Sequence, residues 1–279
     1  MTPDYARLIV DLDGTLYLGP NPLPRATQTM TQLRRTCEIL FLSNNCNHSA
    51  ERLARRLNQI GFEAAPREVV SSVTLMVEAV NQLGAGLRVL TLSSGDLDPA
   101  LEEAGHRITQ KEPADVVIVG VDIDFCYDSL ARALRALSRG AVLVGANADA
   151  AYPTETGPRP GAGAFVGAVR GMGFVPDRMC GKPDSWAMRK ALSLRGFDAG
   201  PDCLLVGDRL DSDILGARNL GIDSALVLTG VSTREDVERL GIRPTYVADD
   251  LAAIADDLRP WARPLEPPGA SGANPHGTG

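Results

Sequence analysis

Short apolar runs that end in small polar or acidic residues recur along the chain, and between them lie segments whose apolar positions repeat every third or fourth residue. Runs of the first kind read as buried strands and segments of the second as amphipathic helices. Residues 6–13 form such a run. The segment 24–36 follows with Ala26, Met30 and Leu33 at helical spacing. CEILFLSNN (37–45) is a second apolar strand, and HSAERLARRLNQIGF (48–62) a second helix. In that helix Ser49 suits the N-cap, Leu53, Leu57 and Ile60 share a face, and Gly61 marks the stop. Strand and helix in alternation predict a parallel sheet covered by helices.

The pattern restarts around Gly84–Gly86. LRVLTLSS (87–94), DVVIVGV (115–121) and AVLVGAN (141–147) read as strands, and PALEEAG (99–105) and YDSLARALRALSRG (127–140) as helices. The latter places Leu130, Ala133, Leu134 and Leu137 on one stripe. Residues 148–164 form a Pro/Gly/Thr-rich loop longer than a simple connection needs, and such loops are often functional. From about Met179 the first pattern resumes: CLLVGD, SALVLTG and TYVADD as strand segments, SDILGARNLG, TREDVERLG and LAAIADDL as helices. The expected fold class is α/β: a doubly wound parallel sheet with an inserted α/β domain. One domain is expected over 1–83 and 179–263, interrupted by a second over 84–178. The Pro/Gly-rich residues 264–279 are expected to be disordered.

Composition narrows the partners. At 279 residues with 44% hydrophobic content, the chain can bury a core and suggests about two domains. No apolar run approaches the roughly 20 residues of a membrane span, and the first residues lack a signal-peptide pattern, so a cytoplasmic protein without a membrane partner is expected. Five cysteines, dispersed and without a C-x-x-C pair, argue for reduced thiols over a disulfide or zinc framework. A formal charge of −7 with no basic block argues against a nucleic-acid partner.

Ligands of doubly wound sheets gather at the carboxyl ends of strands, and four polar groups of this sequence fall there. Asp11-Leu12-Asp13-Gly14-Thr15 ends the first strand. Alternation would turn Asp11 and Asp13 into one crevice, where their mutual repulsion calls for a cation or a shared proton. A strand ending in a turn is the plainer account of the same letters. Ser43-Asn44-Asn45 offers a hydroxyl, amides and backbone N–H groups ahead of a helix, which suits a phosphate and equally suits an Asx turn. Lys182, in GKPD before another helix, could neutralise a phosphoryl oxygen or be an ordinary solvated lysine. Asp208 directly follows an apolar strand, with Asp211 and Asp213 behind it. Helix-terminal charge accounts for the last two better than for Asp208.

In this order and on this alternation, DLDGTLY, SNN, GKP and GDRLDSDILGA resemble the four motifs of the haloacid dehalogenase superfamily of aspartate-nucleophile phosphatases. The insert between the second and third motifs resembles the large α/β cap of the branch that holds p-nitrophenylphosphatases, phosphoglycolate and glycerol-phosphate phosphatases and NagD-like nucleotidases. VVIVGVDIDFCYDSL and GANADAAYP…GPRPGAGA are similar to cap stretches of that branch. The resemblance runs from about residue 7 to 260. It implies a phosphomonoester hydrolase acting on a small phosphorylated metabolite, with Mg2+ as cofactor and an aspartyl-phosphate intermediate. It implies Asp11 as nucleophile, Asp13 as acid and base, and Lys182 with Ser43, Asn44, Asn45 and Thr15 around the phosphoryl group. It implies a metal held by Asp11, the Asp13 carbonyl and Asp208, with Asp213 behind them. A homodimer through the cap is in keeping with the family.

Two departures bear on substrate. Cys46-Asn47-His48 stands where a small residue, Ser/Thr and a cation are usual, so His48 is a candidate contact for the leaving group or a plain surface histidine. Ala148 replaces a usual proline, and Asn147, Asp149, Tyr152 and Arg159 are the candidate cap contacts. GAGAFVG (161–167) echoes a dinucleotide-binding pattern but follows a Pro-rich loop rather than a strand. A phosphotransferase or mutase on the same fold and a phosphometabolite sensor are the alternatives. A dehalogenase would have no leaving alkoxide for Asp13 to protonate.

Overall fold

The computed structural model describes residues 5–152, 154 and 157–258; the tail expected to be disordered lies outside the described residues. Two parallel sheets organise it. The first has six strands in the order Tyr246–Ala248, Asp223–Val227, Cys203–Gly207, Arg7–Val10, Glu38–Ser43, Val69–Ser71. The second has five, in the order Arg178–Met179, Val142–Gly145, Val116–Val119, Arg88–Leu92, Arg107–Ile108. The α/β class with parallel sheets is the one the alternation predicts.

Strand composition explains the covering. Cys203–Gly207 is buried throughout and Arg7–Val10 nearly so, as expected of a parallel strand with helices on both faces. Leu8 and Val10 pack with Phe41, Leu204, Val206 and the helices Ala26–Leu33 and Ala50–Gln59. Ile9 packs on the other side with Leu40, Leu205, Met188 and Ala191. That second cluster continues through Val73, Met76 and Val80 of the helix Ser72–Leu83 to Val89, Ile118 and Val144, so one apolar body joins the two sheets.

The strand order places the site. Arg7–Val10 sits between Cys203–Gly207 and Glu38–Ser43, with Val10 in register with Val206 and Phe41. The chain leaves this central strand to one side and returns on the other, which opens a crevice at its carboxyl end. Asp11, Ser43 and Asp208 end the three adjacent strands or lie one residue beyond them.

Several elements depart from expectation. Val69–Ser71, Ser72–Leu83, Arg107–Ile108 and Ala162–Arg170 are additional elements. Arg178–Met179, where the first pattern was expected to resume, is an edge strand of the second sheet. The stripe of the helix Tyr127–Ser138 is rotated: Ala136 is buried and Leu134 is 40% exposed. The loop expected over 148–164 carries a short antiparallel ribbon, Ala151–Tyr152 against Arg159–Pro160, and the start of Ala162–Arg170. Among the described residues no helix is long and apolar enough to cross a membrane. None of the five cysteines is in a disulfide; Cys126 is exposed and the others are buried.

Candidate active site

The first strand ends at Val10, so a turn rather than strand alternation sets the two acids. The Asp11 N–H donates to the Val206 carbonyl at 2.9 Å, which continues the ladder one residue past the strand. The chain then folds over on itself: the Leu16 N–H donates to Leu12 and the Gly14 N–H to Tyr17, both at 2.8 Å. Asp11 is buried, whereas Asp13 reaches solvent. Gly14 takes a φ of 82°, a left-handed conformation that favours glycine. Space demands glycine as well, because a Cβ on Gly14 or on Gly230 would fall onto the Asp208 carboxylate.

Lys182 is the centre of the charged cluster. Its side chain is 2% exposed, and its Nζ lies 2.5 Å from Asp11 Oδ1 and 2.7 Å from Asp213 Oδ1. Nζ also donates to the Leu42 carbonyl at 2.9 Å. Burial alone would lower the lysine, but Asp11 and Asp213 outweigh it and hold the ammonium form. Burial raises Asp11 well above the ordinary carboxylate range, against the opposing pull of Lys182. Asp208 is pushed up to about 7 by burial and by the neighbouring Asp213.

Asp208 Oδ2 accepts from the Val231 N–H at 2.7 Å, while its buried Oδ1 has no hydrogen-bond partner. Asp11, Asp208 and Asp213 each bring a carboxylate oxygen within 4.8 Å of the others. When ionised, the three buried carboxylates against one ammonium leave a net negative charge of two, and hard oxygen donors suit a divalent cation such as Mg2+. The residues present fit the metal that the motifs imply.

Asn44 connects the rest. Its Oδ1 accepts from the Lys182 N–H at 2.8 Å, and its Nδ2 donates to the Lys182 carbonyl at 3.1 Å and to Asp149 Oδ2 at 3.0 Å. The amide is thereby spent on protein partners, and only the backbone of Asn44 is left to meet a ligand. Asn147 donates to the Asn44 carbonyl at 2.7 Å and accepts from the Asp149 N–H at 3.0 Å. Asn147 and Asp149 thus reach the site from just beyond the strand Val142–Gly145 of the second sheet. Burial raises Asp149, while Arg209 and Asn44 oppose the shift.

Ser43 is buried and accepts from the Asn45 N–H at 3.1 Å. Asn45 Oδ1 receives the N–H groups of Asn47 and His48 at 3.0 and 2.9 Å, so its side chain shapes the turn. His48 is half-buried, 3.5 Å from Asn45 Nδ2, and burial followed by Arg52 lowers it toward the neutral imidazole. Thr15 donates to Asp11 Oδ2 at 3.5 Å, whereas the hydroxyl that reaches Asp13 is Tyr17, at 3.3 Å. Tyr152 and Arg159 face each other across the exposed ribbon, away from this network of bonds.

Residues 8–107 match the profile of the haloacid dehalogenase-like hydrolases, and residues 179–254 that of a HAD-hydrolase-like family. An acid sugar phosphatase of Staphylococcus aureus is 35% identical over 254 residues, 90% of this chain and 98% of the relative. The chain belongs to the haloacid dehalogenase-like hydrolase family. It is an enzyme of the phosphatase type within it. Solved members superpose closely. A p-nitrophenyl phosphatase from Archaeoglobus fulgidus has a TM-score of 0.86 at 33% identity, covering 92% of this chain and all of that one, 100%. A glycerol phosphate phosphatase from Mycobacterium tuberculosis, solved with magnesium, has a TM-score of 0.83 at 35% identity, covering 93% of this chain and 79% of that one.

Three residues of this haloacid dehalogenase-like site escape a reading of the sequence. Arg209 pairs with both oxygens of Asp211 at 3.1 and 2.9 Å and lies 4.0 Å from Asp149 Oδ1. Arg56 lies over the Tyr17 ring, and Tyr17 touches Asp13. Arg209 stands inside a motif and could have been singled out there. Arg56 reads as one of several arginines on a polar helix face, and nothing in its own neighbourhood distinguishes it.

Proposed function

We propose that the protein is a Mg2+-dependent phosphatase of small phosphorylated metabolites that works through an aspartyl-phosphate on Asp11. The observation that carries this reading is the buried meeting of Asp11 and Asp208, at the ends of adjacent parallel strands, with Asp213 and Lys182. Asp11, Asp208 and the Asp13 carbonyl would hold the metal, with Asp213 behind them. When bound, Mg2+ supplies positive charge against the phosphoryl oxygens.

Asp11 attacks phosphorus, and the bond to the leaving oxygen breaks with its electron pair on that oxygen. Asp13 gives the oxygen its proton and becomes a carboxylate. Water then attacks phosphorus and passes a proton to Asp13. The bond from phosphorus to Asp11 breaks, its electron pair returns to the carboxylate, and phosphate departs. Lys182 fixes Asp11 and offsets charge on the transferring group. Ser43 and the backbone of Asn44 receive phosphoryl oxygens.

Residues 84–178 act as a cap over this core, and Asp149 and Asn147 mark where it closes. Phosphorylated sugars and polyols are the favoured substrates, in line with the relatives named as acid sugar phosphatase and glycerol phosphate phosphatase. Ile123 and Tyr127 of the cap are 74% and 84% exposed, apolar surface that suits a second copy of the chain.

The test is phosphate release from a panel of small esters, with Mg2+ or EDTA, beside Asp11→Asn. Turnover that needs Mg2+ and falls on the order of 10³-fold or more in the variant supports the reading. No release from any ester, with Asp11 still phosphorylated by a donor, would favour a transferase or sensor.

A further inference from the structure

Asp13 must face the leaving oxygen in one half of the proposed reaction and a water in the other, yet it stands at the open side of the site. A carboxyl exposed to solvent turns freely unless something holds it. The turn after the first strand supplies a holder. Tyr17 lies four residues on, and the chain comes back so that Asp13 and Tyr17 form a bridge while the Gly14 N–H donates to the Tyr17 carbonyl at 2.8 Å. The Tyr17 ring is 1% exposed and belongs to the apolar cluster beneath the sheet, so its position is fixed by packing. Its hydroxyl emerges from that packing and donates to Asp13 Oδ2 at 3.3 Å.

Arg56 secures the ring from above. It comes from the helix Ala50–Gln59, with its guanidinium carbon 4.7 Å from the Tyr17 ring centroid. Its Nη2 donates to the Gly19 carbonyl at 2.6 Å, which ties the helix to the far side of the same turn. A guanidinium over a tyrosine face is attracted by the ring quadrupole and leaves the phenol free to donate. Ring, cation and turn therefore form a packed support whose phenol hydroxyl donates to Asp13.

We propose that Tyr17, seated by Arg56, is a positioning residue that holds the Asp13 carboxyl toward the leaving oxygen and then toward the attacking water. The proposal rests on the phosphatase reading with Asp13 as acid and base. Tyr17 takes no proton from substrate and gives none; its hydroxyl remains donated to Oδ2 while Oδ1 exchanges the proton. A phenol keeps its proton at neutral pH, so the donation persists through the cycle.

Tyr17→Phe removes the hydroxyl and keeps the ring, so the apolar packing is retained. The kinetic readout separates positioning from mere support. The value of kcat/KM reports steps through departure of the leaving group. An alkyl ester such as glycerol phosphate needs a proton there, and p-nitrophenyl phosphate hardly does. Tyr17→Phe is expected to lower kcat/KM on the alkyl ester by about 10-fold or more and on the nitrophenyl ester by less than about 3-fold. The kcat on the nitrophenyl ester, governed by water attack on the aspartyl-phosphate, is expected to fall with the alkyl value because the same carboxyl now acts as base. Arg56→Met is expected to shift the two esters in the same sense by a smaller factor.

Equal losses of kcat/KM on the two esters in Tyr17→Phe, or no loss on either, would overturn the positioning role. Asp13→Asn, measured beside it, keeps the two readings apart. If Asp13→Asn shows the leaving-group dependence and Tyr17→Phe does not, the Tyr17 proposal alone fails. If the unaltered protein releases phosphate from no ester of the panel, the phosphatase reading fails and this proposal with it.

Discussion

Asp208 sits where a carboxylate can remain ionised only beside a compensating charge. In the fold it is held at about 7 against an ordinary 3.8, by burial first and by Asp213 second. A folded-state value above the unfolded one means that the fold binds this proton more tightly than the unfolded chain does. The group's contribution to stability is therefore complete below about pH 4 and is lost as pH rises through about 7. Mg2+ binds the ionised form, so its stabilisation is expected to be larger at pH 8 than at pH 5. Thermal melts in Mg2+ and in EDTA at the two pH values check this. At about 100 times Kd the shift at pH 8 is expected to be about 5–10 °C. Equal shifts at both pH values would argue that Asp208 is no ligand. Asp11 and Asp208 were legible in the sequence because each directly follows an apolar strand, where an acid has few structural reasons to stand, whereas Lys182 and Asp213, in segments that lead into helices, stood out only by their order along the chain. Tyr17 and Arg56 were not, because their roles come from a tertiary contact between a turn and a helix that no local pattern encodes.

At the scale of elements, Asn44 is the joint between the second strand and the segment that carries Lys182. Its amide makes bonds to both the N–H and the carbonyl of Lys182, so it fixes the lysine backbone from the end of a strand on the neighbouring side. Asn44→Ala is expected to lower kcat/KM by about 10- to 100-fold through misplacement of Lys182, while Mg2+ affinity changes little. Steady-state kinetics beside a Mg2+ titration distinguishes this from loss of the metal site; a large drop in metal affinity with unchanged catalysis of the loaded enzyme would contradict it. Long elements with a clean period were readable in advance. The helix Ala50–Gln59 begins at Ser49, whose side chain accepts from the Arg52 N–H as an N-cap should. The missed elements share physical causes. Val69–Ser71 is three residues long and runs directly into Ser72–Leu83, so no turn residue separates them. Arg107–Ile108 and Arg178–Met179, at two residues each, are too short to show alternation. Gly163 and Gly167 lower the helix propensity of Ala162–Arg170 and hide it in a glycine-rich stretch.

For the molecule as a whole, the two sheets meet across a boundary that is apolar at its base and polar at the site. Val73, Met76 and Val80 join them below. Above, Asp149 and Asn147 bond to Asn44, and Asp96 accepts from the Ser49 N–H at 2.9 Å and from Arg52 at 3.1 Å. If the second sheet covers the site as proposed, a compact ester can enter and a folded one is excluded. The expected outcome is a kcat/KM for sugar or glycerol phosphate at least about 100-fold above that for a phosphoprotein, measured by phosphate release; comparable values would mean that the second sheet does not cover the site. The alternation of strand and helix announced the parallel sheets, whereas the polar contacts between them arise from single side chains in loops and stayed out of reach. Phosphoryl transfer to Asp11 is the step on which the proposed activity depends. The most direct test is acid quench of the enzyme during turnover of a sugar phosphate with Mg2+, followed by mass spectrometry of the peptide that contains residues 8–19. A phosphoryl group on Asp11 that forms and decays at rates able to support turnover is the expected result. Steady phosphate release with no adduct on that peptide, undiminished in Asp11→Asn, would contradict it.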